Sequence, residues 1–238
     1  MYQKKSVQGR TNSVSVTADI IQSLELENFT FLRSLQLNGV RIVNKRQFTL
    51  PTSLTALTLT LCNDTRRIII PSSIDTLSIN NCPSLSSIQS PPQAVLKSLS
   101  IEHCNTLKEL SCPTQLSSLE LRFCSTLTQL NNPSYLIALE LQNCPSLKQF
   151  CPCTLTKLSI HNTPIVNIND LLPSTLVDLR LSSVHLPKSI TLPTLVTRLE
   201  IQNCEGLTKI SNISQCIHLT EQTVKRYSKL SRSISKLK

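Results

Sequence analysis

Ten cysteines are the most reactive side chains of this 238-residue chain, and six recur at intervals close to twenty residues or a multiple of it: Cys62, Cys82, Cys104, Cys124, Cys144 and Cys204. Thiols can form disulfides, bind soft metals or pack as small buried side chains. Equivalent side chains on stacked strands point the same way about 4.8 Å apart, whereas disulfide Cβ atoms face each other at about 3.8 Å. The spacing therefore predicts a column of buried free thiols that donate weakly to turn carbonyls, in a reducing compartment.

The remaining cysteines differ in their local context. Cys112 and Cys151 each precede a proline at a position that is Leu or Ile in other repeats, which predicts burial. Cys153 follows Pro152 where other repeats carry Ser or Thr, so we expect an exposed, oxidisable thiol. A metal site built from Cys151, Cys153 and His161 would need side chains whose directions diverge in the repeat, so no metal site is predicted.

The sequence lacks the motifs of nucleotide-dependent or hydrolytic enzymes. Its only glycines are Gly9, Gly39 and Gly206, too widely spaced for a phosphate loop or dinucleotide fingerprint. The four histidines show no HExxH spacing, and there is no GxSxG elbow. We predict no cofactor and no enzymatic activity, with a triad assembled from distant repeats as the remaining catalytic alternative.

The elements that position these residues are repeats of 19 to 22 residues, each reading apolar, two variable, Leu, one variable, Leu or Ile, two variable, usually Cys. A degenerate first copy contains Leu32, Leu35, Leu37 and Val40. The eight later copies begin at Leu54, Ile74, Leu96, Leu116, Leu136, Leu155, Leu176 and Val196. Such regular self-similarity is typical of a solenoid.

The pattern LxxLxLxxC over residues 32–211 resembles the leucine-rich repeat family, with Cys at the Asn-ladder position. The repeat length is similar to short bacterial-type repeats. The Cys, and the Leu three residues after it, are similar to cysteine-containing and BspA-like forms, so the subfamily stays open. Thr163 and Val184 replace Cys in two copies.

The period-two alternation in each LxL stretch predicts a strand with one buried face. Stacked copies would form a parallel sheet over one leucine core, because a single copy cannot bury its own leucines. Proline three residues before most frames, and the short repeat, favour extended or irregular convex segments. We therefore expect a shallow horseshoe: residues 1–31 a disordered start and cap, 32–211 about nine repeats, and 212–238 a basic cap.

The net charge of +10 is concentrated at the two ends of the chain. Residues 1–67 carry nine basic and four acidic side chains, residues 218–238 six and one, and residues 68–217 nine of each. With 3% aromatic residues and no basic stripe, nucleic-acid binding is not predicted. From about Thr220, apolar residues at steps of three and four predict a helix: Val224, Tyr227, Leu230, Ile234 and Leu237. Residues 11–31 are predicted to cap the other end as either a helix or a hairpin.

The family resemblance implies that the variable positions beside the LxL leucines lie on a concave surface where partners bind. The candidate partner-binding residues are Glu102, Glu120, Arg122, Glu140, Gln142, Lys157, His161, Asp178, Arg180, Arg198 and Glu200. Glu120 and Glu140 should be direct neighbours, which disfavours ionisation of both unless a cation is near. Arg122 should relieve this only partly because it also borders Glu102. The acidic residues are expected to await a partner's Lys or Arg, with Arg180 and Arg198 receiving acidic groups; a self-compensating solvated face is the alternative.

These observations predict a non-catalytic protein–protein interaction scaffold that binds a folded protein or peptide. Some intracellular members of the family that the chain resembles regulate protein phosphatase 1. By that analogy we predict a regulatory role. The alternative function is membrane-surface recruitment through the basic C-terminal segment. Homo-oligomerisation through the repeat ends is a third alternative. Free thiols, and no apolar stretch after the basic start at residues 1–10, predict a cytoplasmic or nuclear location.

Overall fold

The computed structural model is a parallel β-solenoid with almost no helix. It describes, with only the backbone for 221–225, residues 12–17, 29–40, 50–89, 91, 93–131, 135–147, 150, 154–165 and 167–225. Within these residues no helix has the length and apolar character needed to cross a membrane.

Eleven parallel strands form one continuous sheet. In sheet order they are β1 Ser13–Thr17, β2 Ser34–Asn38, β3 Ala56–Thr60, β5 Thr76–Asn80, β7 Ser98–Glu102, β9 Ser118–Arg122, β11 Ala138–Gln142, β12 Lys157–His161, β13 Asp178–Ser182, β15 Arg198–Gln202 and β17 Glu221–Lys225. The nine strands from β2 to β15 are the nine predicted copies of the repeat. The parallel sheet expected from the LxL pattern is therefore confirmed.

The strands stack with their leucines in register. Leu119 on β9 pairs with Leu99 on β7 and with Leu139 on β11, and Leu121 pairs with Ile101 and Leu141 in the same way. All of these side chains are at most 2% exposed. Burying each one stabilises the fold by roughly 1.5–3 kcal/mol before the conformational entropy cost. The predicted leucine core is thus a continuous column shared by neighbouring copies.

The segments on the other side of the coil are extended. Short strands pair there in three small sheets: β4 Arg67–Ile69 with β6 Ser87–Gln89, β8 Glu109–Ser111 with β10 Gln129–Asn131, and β14 Ser189–Thr191 with β16 Lys209–Ser211. Two 3₁₀ segments, Ile168–Leu171 and Ile213–Gln215, are the helical elements described. This confirms the expectation of extended convex segments.

In several copies a turn begins at the proline three residues before the frame, and another begins at the cysteine after the strand. The carbonyl of Pro113 accepts the N–H of Leu116 at 3.0 Å, and Pro51 and Pro173 act in the same way. Likewise the carbonyl of Cys82 accepts the N–H of Leu85 at 3.1 Å. This three-residue turn explains why the next leucine follows Cys by three positions.

The thiols lie in the predicted buried column. Cys104, Cys124 and Cys144 are 0% exposed, and each donates to the carbonyl two residues earlier at 3.4 Å. Cys112 is also buried, as predicted. The eight cysteines described, which include Cys216, are free thiols. Cys151 and Cys153 lie outside the described residues, so the predictions about them are untested.

The C-terminal edge of the sheet differs from the prediction. The helix expected from about Thr220 is wrong for Glu221–Lys225, which form β17 and pair in parallel with β15. Pairing satisfies backbone groups at the edge of β15 that a helix would leave unpaired. The later residues of that predicted helix lie outside the described residues, so membrane recruitment through them stays a prediction.

At the other end, Ser13–Thr17 form β1, which pairs in parallel with β2. Ser13–Thr17 are therefore a strand and not a helix, whereas the hairpin alternative also involves residues 18–28, which lie outside the described residues. Val14 and Val16 pack against the core beside Leu35 and Leu37. Residues 1–11 and 18–28, and with them the predicted disordered start, lie outside the described residues.

Candidate binding face of the sheet

The exposed side of the eleven-stranded sheet, called the sheet face below, carries the eleven candidate residues. On the nine strands from β2 to β15 in the sheet order, the side chains alternate between the leucine core and this face. In the central row of this face each residue lies opposite the next in register: Thr58, Ser78, Ser100, Glu120, Glu140, Ser159, Arg180 and Glu200. The pairing of strands, rather than any loop, therefore sets the spacing of the candidate residues.

Charge divides the sheet face into three zones. Strands β2, β3 and β5 carry hydroxyl and amide side chains and no charge. Strands β7, β9 and β11, the acidic zone, carry three carboxylates and one guanidinium. Strands β12, β13 and β15, the basic zone, carry three cations and two carboxylates. A partner crossing the strands would therefore meet opposite net charges within a few coils.

Arg122 is the cation at the centre of the acidic zone. Its Nη2 donates to Glu140 Oε1 at 2.7 Å. Its Nε lies 2.6 Å from Glu120 Oε1, an ion pair without hydrogen-bond alignment. The hydrogen bond to Glu140, opposed by partial desolvation and reinforced by the charges of Glu140, Glu120 and Glu102, raises the pKa of Arg122. Arg122 thus bridges the two glutamates, which revises the expectation that both await a partner's cation.

Glu102 has different contacts within the acidic zone. Its Oε2 accepts a hydrogen bond from Asn80 Nδ2 at 3.1 Å. Its Oε1 lies 3.6 Å from His103 Nε2. Although Glu102 is opposite Arg122 in register, its closest polar contacts lie toward the neutral zone and the turn.

Asp178 organises the basic zone. Its side chain is 13% exposed and accepts from Arg180 Nε at 3.1 Å and Nη2 at 3.2 Å. Arg198 Nη1 lies 3.4 Å from the same carboxylate. The hydrogen bond to Asp178 and its charge raise the pKa of Arg180. Two guanidinium groups therefore contact one largely buried carboxylate, and register places Lys157 directly opposite Asp178 on the preceding strand.

A groove of about 180 Å³ crosses the boundary between the acidic and basic zones. The candidate residues that line it are Glu120, Glu140, Lys157, Asp178 and Arg180. Ser118 and Ala138 also line it, and the sequence prediction missed both. Both residues occupy the first position of their strand, where β12, β13 and β15 carry Lys157, Asp178 and Arg198. Small residues in a row that is otherwise charged leave space for a groove, and the sequence could have shown this.

The other candidate residues lie on the sheet face but not in this groove. Gln142 and His161 are opposite each other at the ends of β11 and β12. Glu200 is opposite Arg180, and Gln202 Nε2 donates to its Oε1. The structure therefore brings five of the eleven candidates together in the groove and spreads the rest around it.

The parallel strands, the LxL leucine columns and the coil of about twenty residues together decide the fold type. It is a parallel β-solenoid built from leucine-rich coils. No family model and no curated protein sequence matches the chain. Among solved structures, a leucine-rich cell surface protein from Faecalibacterium prausnitzii A2-165 is similar, with 16% identity over 94% of this chain and 81% of that chain and a TM-score of 0.25. A match at that distance supports no functional conclusion, and the repeat subfamily stays a prediction.

Proposed function

We propose that this leucine-rich-repeat-like chain is a non-catalytic scaffold that binds a protein or peptide on its sheet face, across the groove between the acidic and basic zones. The observation that carries the proposal is the juxtaposition of Glu120 and Glu140 with Lys157 and Arg180 in one groove. Carboxylates and guanidinium groups at opposite ends of a groove give a partner a preferred direction, because the reversed orientation places like charges together.

The contacts within the face define what the partner must supply. Arg122 and Asp178 already compensate part of each zone, so the residual charges are weak and of opposite sign. Rim charges of this kind influence association rate and orientation more than affinity. The partner segment is therefore expected to be basic where it meets β9 and β11, and acidic where it meets β12 and β13.

A random peptide library displayed on phage and selected on the immobilised full chain tests this proposal. The expected peptides have a basic half and an acidic half, and their association slows as salt rises. Changing Glu120→Lys and Glu140→Lys together should reduce their binding by about tenfold, which corresponds to about 1.4 kcal/mol.

Thr58→Lys is the matched control, since it adds a lysine to the same central row in the neutral zone. It should leave the selected peptides' affinity unchanged. Equal binding to the Glu120→Lys, Glu140→Lys chain, or selected peptides without the two-sign pattern, would overturn the proposal. Circular dichroism of each variant separates a lost contact from a lost fold.

We extend the proposal to a cytoplasmic or nuclear location. The support is the set of eight free, buried thiols, because chains in oxidising compartments generally pair their cysteines. Regulation of a phosphatase, suggested by analogy with the family, stays a prediction that the selected partner would test.

A further inference from the structure

A second groove, the rim groove, lies away from the sheet face, where the chain turns out of the strands. It measures about 390 Å³, within the range of about 300–1,000 Å³ typical of ligand sites. One wall is formed by the residues that directly follow β7, β9, β11 and β12: His103, Phe123, Asn143 and Asn162. Two positions later, the other wall contains Asn105, Ser125, Pro145 and Pro164. The groove therefore runs across four successive coils.

The Phe123 backbone is unusual for such a bulky residue. In the large sheet, each of the nine strands from β2 to β15 is followed by a residue with positive φ. That residue is Asn or Gly in five of the nine copies. Asn and Gly tolerate this conformation, whereas a bulky side chain there is an outlier that costs about 1–2 kcal/mol. Phe123 has φ 53° and is only partly buried. Leu61 has the same conformation, φ 55°, on another coil, so the repeat imposes it at this position, and what distinguishes Phe123 is the aromatic ring that it places in the groove.

The aromatic rings in the groove form a stack. His103 and Phe123 have ring centroids 4.5 Å apart and an interplanar angle of 6°. Each ring covers one face of the other, which leaves the ring edges and the two outer faces as contact surfaces. Aromatic edges carry partial positive charge and favour oxygen acceptors, whereas the negative faces favour CH groups.

Two of the three side-chain amides of the groove have their oxygen atoms engaged, whereas Asn162 has its Nδ2 engaged. Asn105 Oδ1 accepts from the backbone N–H of Ser125 at 3.3 Å and from its hydroxyl at 3.0 Å. Asn143 Oδ1 accepts from Asn162 Nδ2 at 2.6 Å. With their oxygens engaged, Asn105 and Asn143 present their Nδ2 groups to a ligand. Among the residues that the structure describes, no Lys, Arg, Asp or Glu lines the groove, so an uncharged ligand rich in acceptors fits these residues best.

We propose that the rim groove binds a proline-rich segment of a partner protein in the polyproline II conformation. Proline has no N–H, so such a segment offers carbonyl acceptors and apolar rings without backbone donors. Aromatic-lined grooves bind it with a small entropy cost because the conformation is preformed. The donors of Asn105 and Asn143 and the apolar surfaces of Phe123, Pro145 and Pro164 match those two properties.

The spacing of the coils matches the ligand. Three residues of polyproline II rise about 9.3 Å, and two coils of the solenoid span about 9.6 Å. Ligand residues three apart therefore meet equivalent positions two coils apart, such as Phe123 and Asn162, or Asn105 and Pro145. The four coils of the groove would accommodate about five ligand residues.

Titration of the ¹⁵N-labelled full chain with acetyl-octaproline-amide tests the proposal by NMR. The expected result is a saturable shift of the amide signals of His103, Asn105, Phe123 and Asn143, while a Gly-Ser octapeptide leaves them unchanged. Phe123→Asn removes the ring and installs a residue that other copies carry at that position, so its fold should persist. This variant should weaken octaproline binding by about tenfold or more.

Leu61→Asn is the matched control, because Leu61 occupies the same positive-φ position on another coil, outside the groove. It should bind octaproline as the unchanged chain does, and so should the chain with Glu120→Lys and Glu140→Lys. The proposal is overturned if octaproline causes no saturable shift, or if Phe123→Asn binds it normally. Shifts produced by maltohexaose but not by octaproline would also overturn it and assign the groove to a saccharide.

Discussion

Glu120 and Glu140 are directly opposite each other on β9 and β11, and the guanidinium of Arg122 contacts both carboxylates. Like charges opposite each other on neighbouring strands destabilise a sheet, and a shared cation offsets that repulsion. The acidic zone of the sheet face is therefore an internally bridged pair rather than two independent carboxylates.

Replacing Arg122 with alanine should expose that repulsion. The expected loss is about 1 kcal/mol in the free energy of unfolding, a modest value because all three side chains are partly exposed. Urea denaturation would measure it. The loss should shrink at about 1 M salt, where charges are screened within about 3 Å, and when Glu120→Gln is added. A loss insensitive to both changes would contradict the bridging role.

Removing a core leucine should lower the free energy of unfolding more than removing Arg122 does. Leu139→Ala deletes a 2% exposed side chain between the leucines of two neighbouring strands. The expected loss is about 2–5 kcal/mol, since the solenoid can collapse only partly around the cavity. Ser118→Ala, on the exposed side of β9, should change stability by less than about 0.5 kcal/mol. Similar losses for both variants would exclude a shared leucine column.

Gly206 is required by a close backbone approach. A Cβ atom there would lie 2.2 Å from the carbonyl oxygen of Leu186, and φ is +87°. Gly39 also has positive φ, +66°, but a Cβ there would meet nothing within 4 Å. Gly39→Ala should therefore cost only about 1–2 kcal/mol for the backbone conformation. Gly206→Ala should destabilise the fold more than Gly39→Ala does, and thermal unfolding would show this as a larger drop in the midpoint temperature. The reverse order would show that the turn near Leu186 adjusts freely.

The buried thiols should make stability fall at high pH. Burial raises the pKa of Cys104 to about 11 and that of Cys112 to about 12. A thiol in the unfolded chain has a pKa near about 8.5, so above that pH the unfolded chain loses protons that the folded chain keeps. The free energy of unfolding should therefore fall from about pH 8.5 to 11 for Cys104 and to 12 for Cys112, by up to about 1.4 kcal/mol per pH unit for each thiol.

Urea midpoints between pH 8 and 11, in the presence of a reductant, would measure this decline. Cys104→Ala should give a shallower decline than the unchanged chain, because the contribution of that thiol is removed. The variant with Cys104→Ala and Cys112→Ala should be shallower still. Parallel declines for all three chains would assign the pH dependence to other groups.

The sequence by itself determined the repeat, the parallel register and the inward and outward positions. In a solenoid each coil contacts mainly its neighbours, so a spacing of about twenty residues converts directly into columns such as Leu99, Leu119 and Leu139. For the same reason the adjacency of Glu120 and Glu140 could be predicted without coordinates. The burial of the thiols followed from their place in the same frame.

Only the tertiary structure decided what lies between and beyond the columns. Side-chain rotamers determine that Arg122 reaches both Glu120 and Glu140 while Glu102 contacts Asn80, and repeat spacing does not specify rotamers. The stack of His103 on Phe123 depends on positive φ at two successive turns, which the residue types do not suggest. The strand at Glu221–Lys225 forms because the edge of β15 supplies backbone partners, a nonlocal cause that overrides helical spacing.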